Sequence, residues 1–98
     1  MGTPMKTPEG YEKDEICEYL DSIGAWYFKP VMNGFGKSGV PDIVGCLNGK
    51  FFSIEVKREG KEPTPVQGRR MSEIWRAGGI AIWGTAKKVI GELEWTWR

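Results

Sequence analysis

The sequence predicts an α/β fold in which a mixed β-sheet packs against helices. Two threonine–proline pairs, Thr7-Pro8 and Thr64-Pro65, are typical helix starts, because threonine caps a helix and proline suits its first position. Between them, the dipeptide Asn48-Gly49 joins two apolar runs and predicts a central β-hairpin. The predicted order is α-β-β-β-α-β(-α), in a single small domain that spans residues 1–98.

The first half of the chain supplies a helix, an aromatic strand and a loop. The helix is predicted over residues 8–23, because Ile16 and Leu20 have helical spacing and Gly24 fits a helix stop. Residues 25–31 are predicted to form a strand, which Pro30 favours at a sheet edge. Aromatic residues in a strand are more often core than surface, so we expect this strand to contribute to the core.

The second half supplies the hairpin and a crossover. Its strands are predicted over residues 42–47 and 50–58, after a glycine-rich loop at 33–39. A helix from Thr64-Pro65 to Arg76 follows, with Met71, Ile74 and Trp75 predicted to point inward. A strand at 80–83 and a short helix at 87–93 end the domain.

Composition excludes several classes of site. The 98 residues include no histidine, so no Ser-His-Asp or Cys-His nucleophile and no Cys₂His₂ zinc site can form. The two cysteines, Cys17 and Cys46, lack a CxxC spacing and are expected to be reduced core residues. No signal-like start and no apolar run of about 20 residues is present, so we expect a cytoplasmic protein with no membrane partner.

A net charge of +1 conceals an uneven distribution of charge. Residues 1–24 contain two basic and six acidic side chains, whereas residues 57–76 contain six basic and three acidic ones. The basic segment could follow phosphates, although a solvated helix face is the commoner origin of such a run.

The hairpin brings two carboxylates together. A two-residue turn at 48–49 pairs Leu47 with Lys50 and, further along, Asp42 with Glu55, on the face that also carries Lys57. Opposed like charges on a sheet are destabilising, so a compensating charge is expected. Lys57 supplies one positive charge, and a divalent cation such as Mg²⁺ or Mn²⁺ would supply the rest. The alternative is a solvent-facing hairpin with an incidental acidic pair.

Two strings of residues carry a resemblance to a known family. Gly39-Val40-Pro41-Asp42-Ile43 and Phe52-Ser53-Ile54-Glu55-Val56-Lys57 resemble the PD…ExK pattern of the virus-type replication-repair nuclease (VRR-NUC) family, within the PD-(D/E)xK nuclease superfamily. The resemblance extends from the Thr7-Pro8-Glu9 start to the strand at 80–83. The small size is similar to that of the stand-alone phage and bacterial members.

The resemblance implies a restriction-endonuclease-like core and a Mg²⁺-dependent DNA endonuclease, in which Mn²⁺ can substitute. It implies that Asp42 and Glu55 are catalytic metal ligands, with the backbone carbonyl of Val56 as a third. Lys57 would position or activate the attacking water. Phosphodiester hydrolysis requires such a water and positive charge beside the transition state.

The resemblance also implies a metal-site glutamate on the first helix. At about 100° per residue, Glu9 lies about 20° from Ile16 on the inward stripe, Glu12 lies about 40° away, and Glu15 about 100° away. We therefore expect Glu9 to serve the site, directly or through water, with Glu12 as second choice. The alternative is that a glutamate in a first helical turn simply favours the helix dipole.

Polar and basic side chains near the predicted site are candidates for contact with DNA. Gln67 is similar to a family glutamine with either of two roles, support of the site or contact with the DNA backbone. The alternative, left equally open, is that Gln67 is an ordinary polar helix residue. The candidates for phosphate contact are Arg58, Lys61, Arg69, Arg70 and Lys37.

Stand-alone members of the family are associated with homodimers that cut four-way (Holliday) junctions, which implies a DNA-repair or phage role in a bacterial or phage-infected cell. Two symmetric nicks need two sites, and two-fold dimers supply them most commonly. Trp95 and Trp97 are expected to dock onto the core or onto a dimer partner. The alternatives are a catalytically silent DNA-binding module of the same fold and a monomeric flap or nicking nuclease.

Overall fold

A mixed four-stranded sheet with three helices forms the structure, a computed structural model that describes residues 5–31 and 36–96. This arrangement confirms the predicted α/β class. Residues 33–35 of the predicted loop, and Trp97, lie outside the described residues. The elements in chain order are α1 (Pro8–Ser22), β1 (Trp26–Phe28), β2 (Ile43–Leu47), β3 (Lys50–Val56), α2 (Pro65–Arg76), β4 (Ile80–Gly84) and α3 (Ala86–Thr96).

Local signals account for where the helices begin. The Thr7 hydroxyl accepts a hydrogen bond from the Gly10 N–H at 3.0 Å, as expected of a helix cap. At the start of α2, Thr64 and Gln67 form a capping box, in which each side chain accepts a hydrogen bond from the backbone N–H of the other.

The strands lie in the order β1-β2-β3-β4, which places β3 in the interior of the sheet. β1–β2 and β2–β3 are antiparallel, and β3–β4 are parallel and joined through α2. Asn48 and Gly49 both have positive φ, 52° and 78°, as a type I′ turn requires. This turn sets the strand pairing from Leu47–Lys50 to Ile43–Ile54. Asp42, the residue before β2, therefore lies beside the end of β3.

The apolar core lies between the sheet and the pair of helices α1 and α3. Ile16 of α1 and Phe52 and Ile54 of β3 are fully buried, and Val89 and Leu93 of α3 join them. α2 packs against β3 and β4 on the opposite face, and none of its residues is buried. Trp75 points toward the sheet as predicted, because its Nε1 donates to the Ala81 carbonyl at 3.1 Å, but the residue is 55% exposed and not buried.

The predicted aromatic strand differs most from expectation. β1 spans three residues rather than 25–31. Its middle residue Tyr27 packs against the core as expected, whereas Trp26 and Phe28 are 68% and 50% exposed. The physical reason is position, since β1 is the edge strand farthest from β4 and α2 packs on β3 and β4. Both cysteines are free. Cys17 is half-buried and packs against the core, whereas Cys46 is exposed, which corrects its assignment to the core.

None of the helices in the part of the chain that the structure describes has the length and apolar character needed to cross a membrane.

Candidate active site

Asp42 directly precedes β2 and lies against the end of β3. Its Oδ2 accepts a hydrogen bond from the backbone N–H of Val56 at 2.8 Å, which fixes the carboxylate beside Glu55. Its Oδ1 lies 3.7 Å from the Nζ of Lys13 in α1. The side chain retains 30% exposure, so this carboxylate is held on two sides and still reaches solvent.

Glu55 lies near the end of β3, where this strand pairs with β4, and its side chain is only 4% exposed. Its Oε1 accepts a hydrogen bond from Gln67 Nε2 at 2.7 Å, whereas its buried Oε2 has no hydrogen-bond partner in the described chain. Burial, and then the charge of Asp42, raise the pKa of Glu55 from 4.5 to about 7, against the lowering effect of Lys57. A carboxylate left with an unsatisfied buried oxygen is costly, which indicates a place for a positive group.

Lys57 follows β3 and completes the group. Its Nζ lies 3.7 Å from Glu55 Oε1, and its side chain is only 13% exposed. Its backbone N–H donates to the Gly84 carbonyl at 2.9 Å, so the lysine is anchored where the parallel strands β3 and β4 end. The carboxyl ends of strands in an open α/β sheet are the usual location of ligand sites.

Gln67 connects the site to α2. Its Oε1 accepts from the Thr64 N–H at 2.9 Å within the capping box, while its Nε2 donates to Glu55. One amide therefore caps a helix and holds the buried carboxylate in place. The contacts of Gln67 are therefore those of a residue that supports the site, which is one of its two predicted roles.

The glutamates of α1 are not gathered around the carboxylate pair. Glu9 is half-buried in the first turn, and Glu15 is exposed. Glu12 Oε2 accepts a hydrogen bond from the Ala86 N–H at 2.6 Å, so it caps α3 instead. Among residues 5–31 and 36–96, no group of three or more His, Cys, Asp and Glu side chains is placed to hold a metal ion, so the structure does not bring Glu9 into one with Asp42 and Glu55.

Lys13 is the site residue that sequence reasoning missed. It lies one helical turn after Glu9 and carries its ammonium to Asp42. The angle used for the glutamates places Lys13 about 60° from Ile16, on the inward side of α1. The helical periodicity of α1 therefore carries the signal that would place Lys13 at the site.

The fold has a counterpart among solved structures. A structure described as a "VRR_NUC domain" superimposes with a TM-score of 0.77 and 28% sequence identity, over 91% of this chain and 97% of that chain. The chain therefore resembles the VRR-NUC family in fold and in sequence. No family model and no curated protein matches its sequence.

The basic residues predicted to contact DNA fall into two groups. Arg70 donates to the Ser38 carbonyl at 2.9 Å and to Glu73 at 2.8 Å, and Lys37 lies 3.7 Å from the same glutamate. These two cations therefore hold the loop at 36–39 against α2. Arg58, Lys61 and Arg69, by contrast, are exposed.

The site offers a divalent cation two carboxylates. The unsatisfied Oε2 of Glu55 and the partly exposed carboxylate of Asp42 are hard oxygen donors of the kind that Mg²⁺ and Mn²⁺ prefer. Mg²⁺ commonly binds one or two carboxylates and retains several waters, so the residues present fit such an ion. Ligation by the Val56 carbonyl and by Glu9 stays a prediction.

Proposed function

We propose that this chain is a metal-dependent, structure-selective DNA endonuclease that acts as a homodimer on four-way junctions. Its similarity to a VRR-NUC domain supports a nuclease. The observation that carries the proposal is the buried Glu55 carboxylate, which has one unsatisfied oxygen and lies beside Asp42 and Lys57.

In this proposal, Asp42 and Glu55 hold Mg²⁺, or Mn²⁺ in its place. The bound ion would lower the pKa of a coordinated water and offset the charge that develops on the phosphate. Gln67 and the Val56 N–H keep the two carboxylates in their positions, so the ligands need little rearrangement. Lys57, largely shielded from water, places its ammonium beside Glu55, where it orients the attacking water and attracts the scissile phosphate.

The exposed aromatic side chains of β1 and β3 support the dimer. Trp26 and Phe28 stack edge to face with ring centroids 5.8 Å apart, and Phe51, which is 45% exposed, shares their side of the sheet. Contiguous exposed apolar surface marks contact sites. Sedimentation equilibrium tests this: the double change Trp26→Ser and Phe28→Ser should give a monomer, whereas Val31→Ser, at an exposed position (86%), should not.

The function is tested by incubation of the chain with labelled four-way junction, flap and linear duplex DNA, with Mg²⁺ or with EDTA. We expect symmetric cleavage of the junction that requires the metal. Cleavage of the flap by a monomer would favour a flap or nicking nuclease. Binding without cleavage of any substrate would overturn the enzyme assignment and favour a DNA-binding module of the same fold.

A further inference from the structure

An open cleft of about 1090 Å³ lies beside the candidate active site, between the loop that follows β3 and the outer side of α3. It is larger than most small-molecule pockets, which occupy about 300–1,000 Å³. Aromatic and basic side chains line it, together with three glutamates. The basic ones are Arg58, Lys61, Lys87 and Lys88, the aromatic ones Trp83 and Trp95, and the acidic ones Glu59, Glu62 and Glu92.

The cleft adjoins the site through the chain on either side of the Lys57 backbone. Arg58, the residue after Lys57, forms part of its wall, and so does Gly84, whose carbonyl accepts the Lys57 N–H. A DNA strand with a phosphate bound at Lys57 would therefore lie next to the cleft, because the residue that follows Lys57 forms part of the cleft wall.

Two tryptophans give the cleft flat surfaces. Lys88 Nζ lies 3.5 Å from the centroid of the Trp83 ring, so a cation is held over one aromatic face. Trp95, near the end of α3, is 75% exposed. Bases of single-stranded nucleic acid stack on exposed aromatic side chains regardless of sequence, while neighbouring cations attract the phosphates.

Gly91 forms part of the cleft lining between these groups. It lies inside α3, one turn after Lys87 and one turn before Trp95. Glycine inside a helix costs about 1 kcal/mol relative to alanine, yet a Cβ at this position would meet no atom within 4 Å. Packing within the described chain therefore does not explain the glycine, whereas close approach of a ligand to the helix backbone would.

We propose that this cleft binds an unpaired segment of DNA, with a base stacked on Trp95 and the backbone passing over Gly91. The inference rests on the proposed function and deepens it, because it assigns the unpaired strand of a branched substrate to a defined surface. The glutamates limit the net positive charge of the cleft, so stacking rather than phosphate contact dominates the affinity. Binding should therefore depend only weakly on salt.

The test uses the full chain in EDTA, which prevents cleavage, and a fluorescent oligothymidylate of eight nucleotides. We expect wild-type protein to bind it more tightly than a duplex of the same length. Gly91→Leu should weaken this binding about 10-fold or more, because the side chain fills the cleft, and Gly91→Ala should weaken it less. Trp95→Ala should lower affinity by about 5- to 100-fold, as expected for the loss of one stacked base.

Gly68→Leu is the matched control, because it adds the same side chain at a helical glycine of α2 whose Cβ also meets no atom within 4 Å. It should bind the oligonucleotide as wild type does. Both leucine variants should melt at or above the wild-type temperature, since leucine is a better helix former than glycine.

Equal affinity of wild-type protein and Gly91→Leu for the oligonucleotide would overturn the proposal, as would no binding to wild type. A change in sedimentation by Gly91→Leu without a change in DNA affinity would assign the cleft to a second copy of the chain, and would overturn it too. Binding through the cleft without cleavage of branched DNA would refute the proposed function while the cleft assignment stands. Cleavage of branched DNA, together with oligonucleotide binding that Gly91→Leu does not change, would refute the cleft assignment while the proposed function stands.

Discussion

The substitution Glu55→Gln should stabilise the metal-free protein at alkaline pH. Glutamine has nearly the shape of glutamate and can still accept the hydrogen bond from Gln67 Nε2. What it removes is the cost of ionising a carboxyl group that is 4% exposed and lies beside Asp42. The same change should abolish metal-dependent cleavage, because it removes a charged ligand.

The magnitude follows from the pKa of Glu55, which is about 7 in the folded chain against an ordinary value of 4.5. Between these two pH values the folded state retains a proton that the unfolded state has lost, so stability falls as the pH rises. At about 1.4 kcal/mol per pH unit, the loss approaches about 3 kcal/mol and is complete just above pH 7. Below pH 4.5 the carboxyl group is protonated in both the folded and the unfolded state, so it does not change the free energy of unfolding.

The assay is urea unfolding of both proteins in EDTA at intervals from pH 4 to pH 8. We expect equal stability at pH 4, and an advantage for Glu55→Gln that grows to about 3 kcal/mol at pH 8. In thermal melts this corresponds to roughly 12–24 °C for a domain of this size. If the free energies of unfolding of the two proteins changed with pH in parallel, the argument that ionisation of Glu55 destabilises the folded chain would be refuted.

Three other substitutions test the remaining assignments. Asp42→Asn should abolish Mg²⁺-dependent cleavage while a gel-shift assay still detects DNA binding, and full cleavage would contradict its role as a ligand. Glu12→Ala should lower the free energy of unfolding by about 1–2 kcal/mol through loss of the α3 cap. The control Glu15→Ala, at an exposed position, should change it by less than about 0.5 kcal/mol. Equal effects of the two substitutions would contradict the role of Glu12 as a cap. Gly45→Ala should cost about 3 kcal/mol or more in urea unfolding, because its Cβ would lie 2.3 Å from the Trp26 carbonyl, and an unchanged midpoint would disprove this.

Features that depend on local chemistry could be predicted from the sequence. The threonine–proline pairs mark the starts of α1 and α2, because capping involves residues three or four apart. The strand register follows from the two positive φ values at Asn48 and Gly49, and it brings Asp42 to the end of β3. In each case the residues that decide the geometry are neighbours in the chain.

Features that depend on how elements pack could not be predicted. Glu12 has the inward direction expected of a site residue, yet its partner is the Ala86 N–H, 74 residues away. Periodicity gives the direction of a side chain from its helix but not the element that it meets. Similarly, the apolar β1 residues Trp26 and Phe28 are exposed, because nothing in their own strand specifies which part of the sheet α2 covers.

Lys13 also changes the argument for a metal. The opposed carboxylates were expected to need a divalent cation because Lys57 alone compensates only one of them. In the structure Asp42 has Lys13 at 3.7 Å and Glu55 has Lys57 at 3.7 Å, so each carboxylate has one ammonium nearby. Charge balance is therefore a weaker reason to infer a metal than the sequence suggested. The stronger reason is the buried Oε2 of Glu55, because neither lysine nor Gln67 satisfies it.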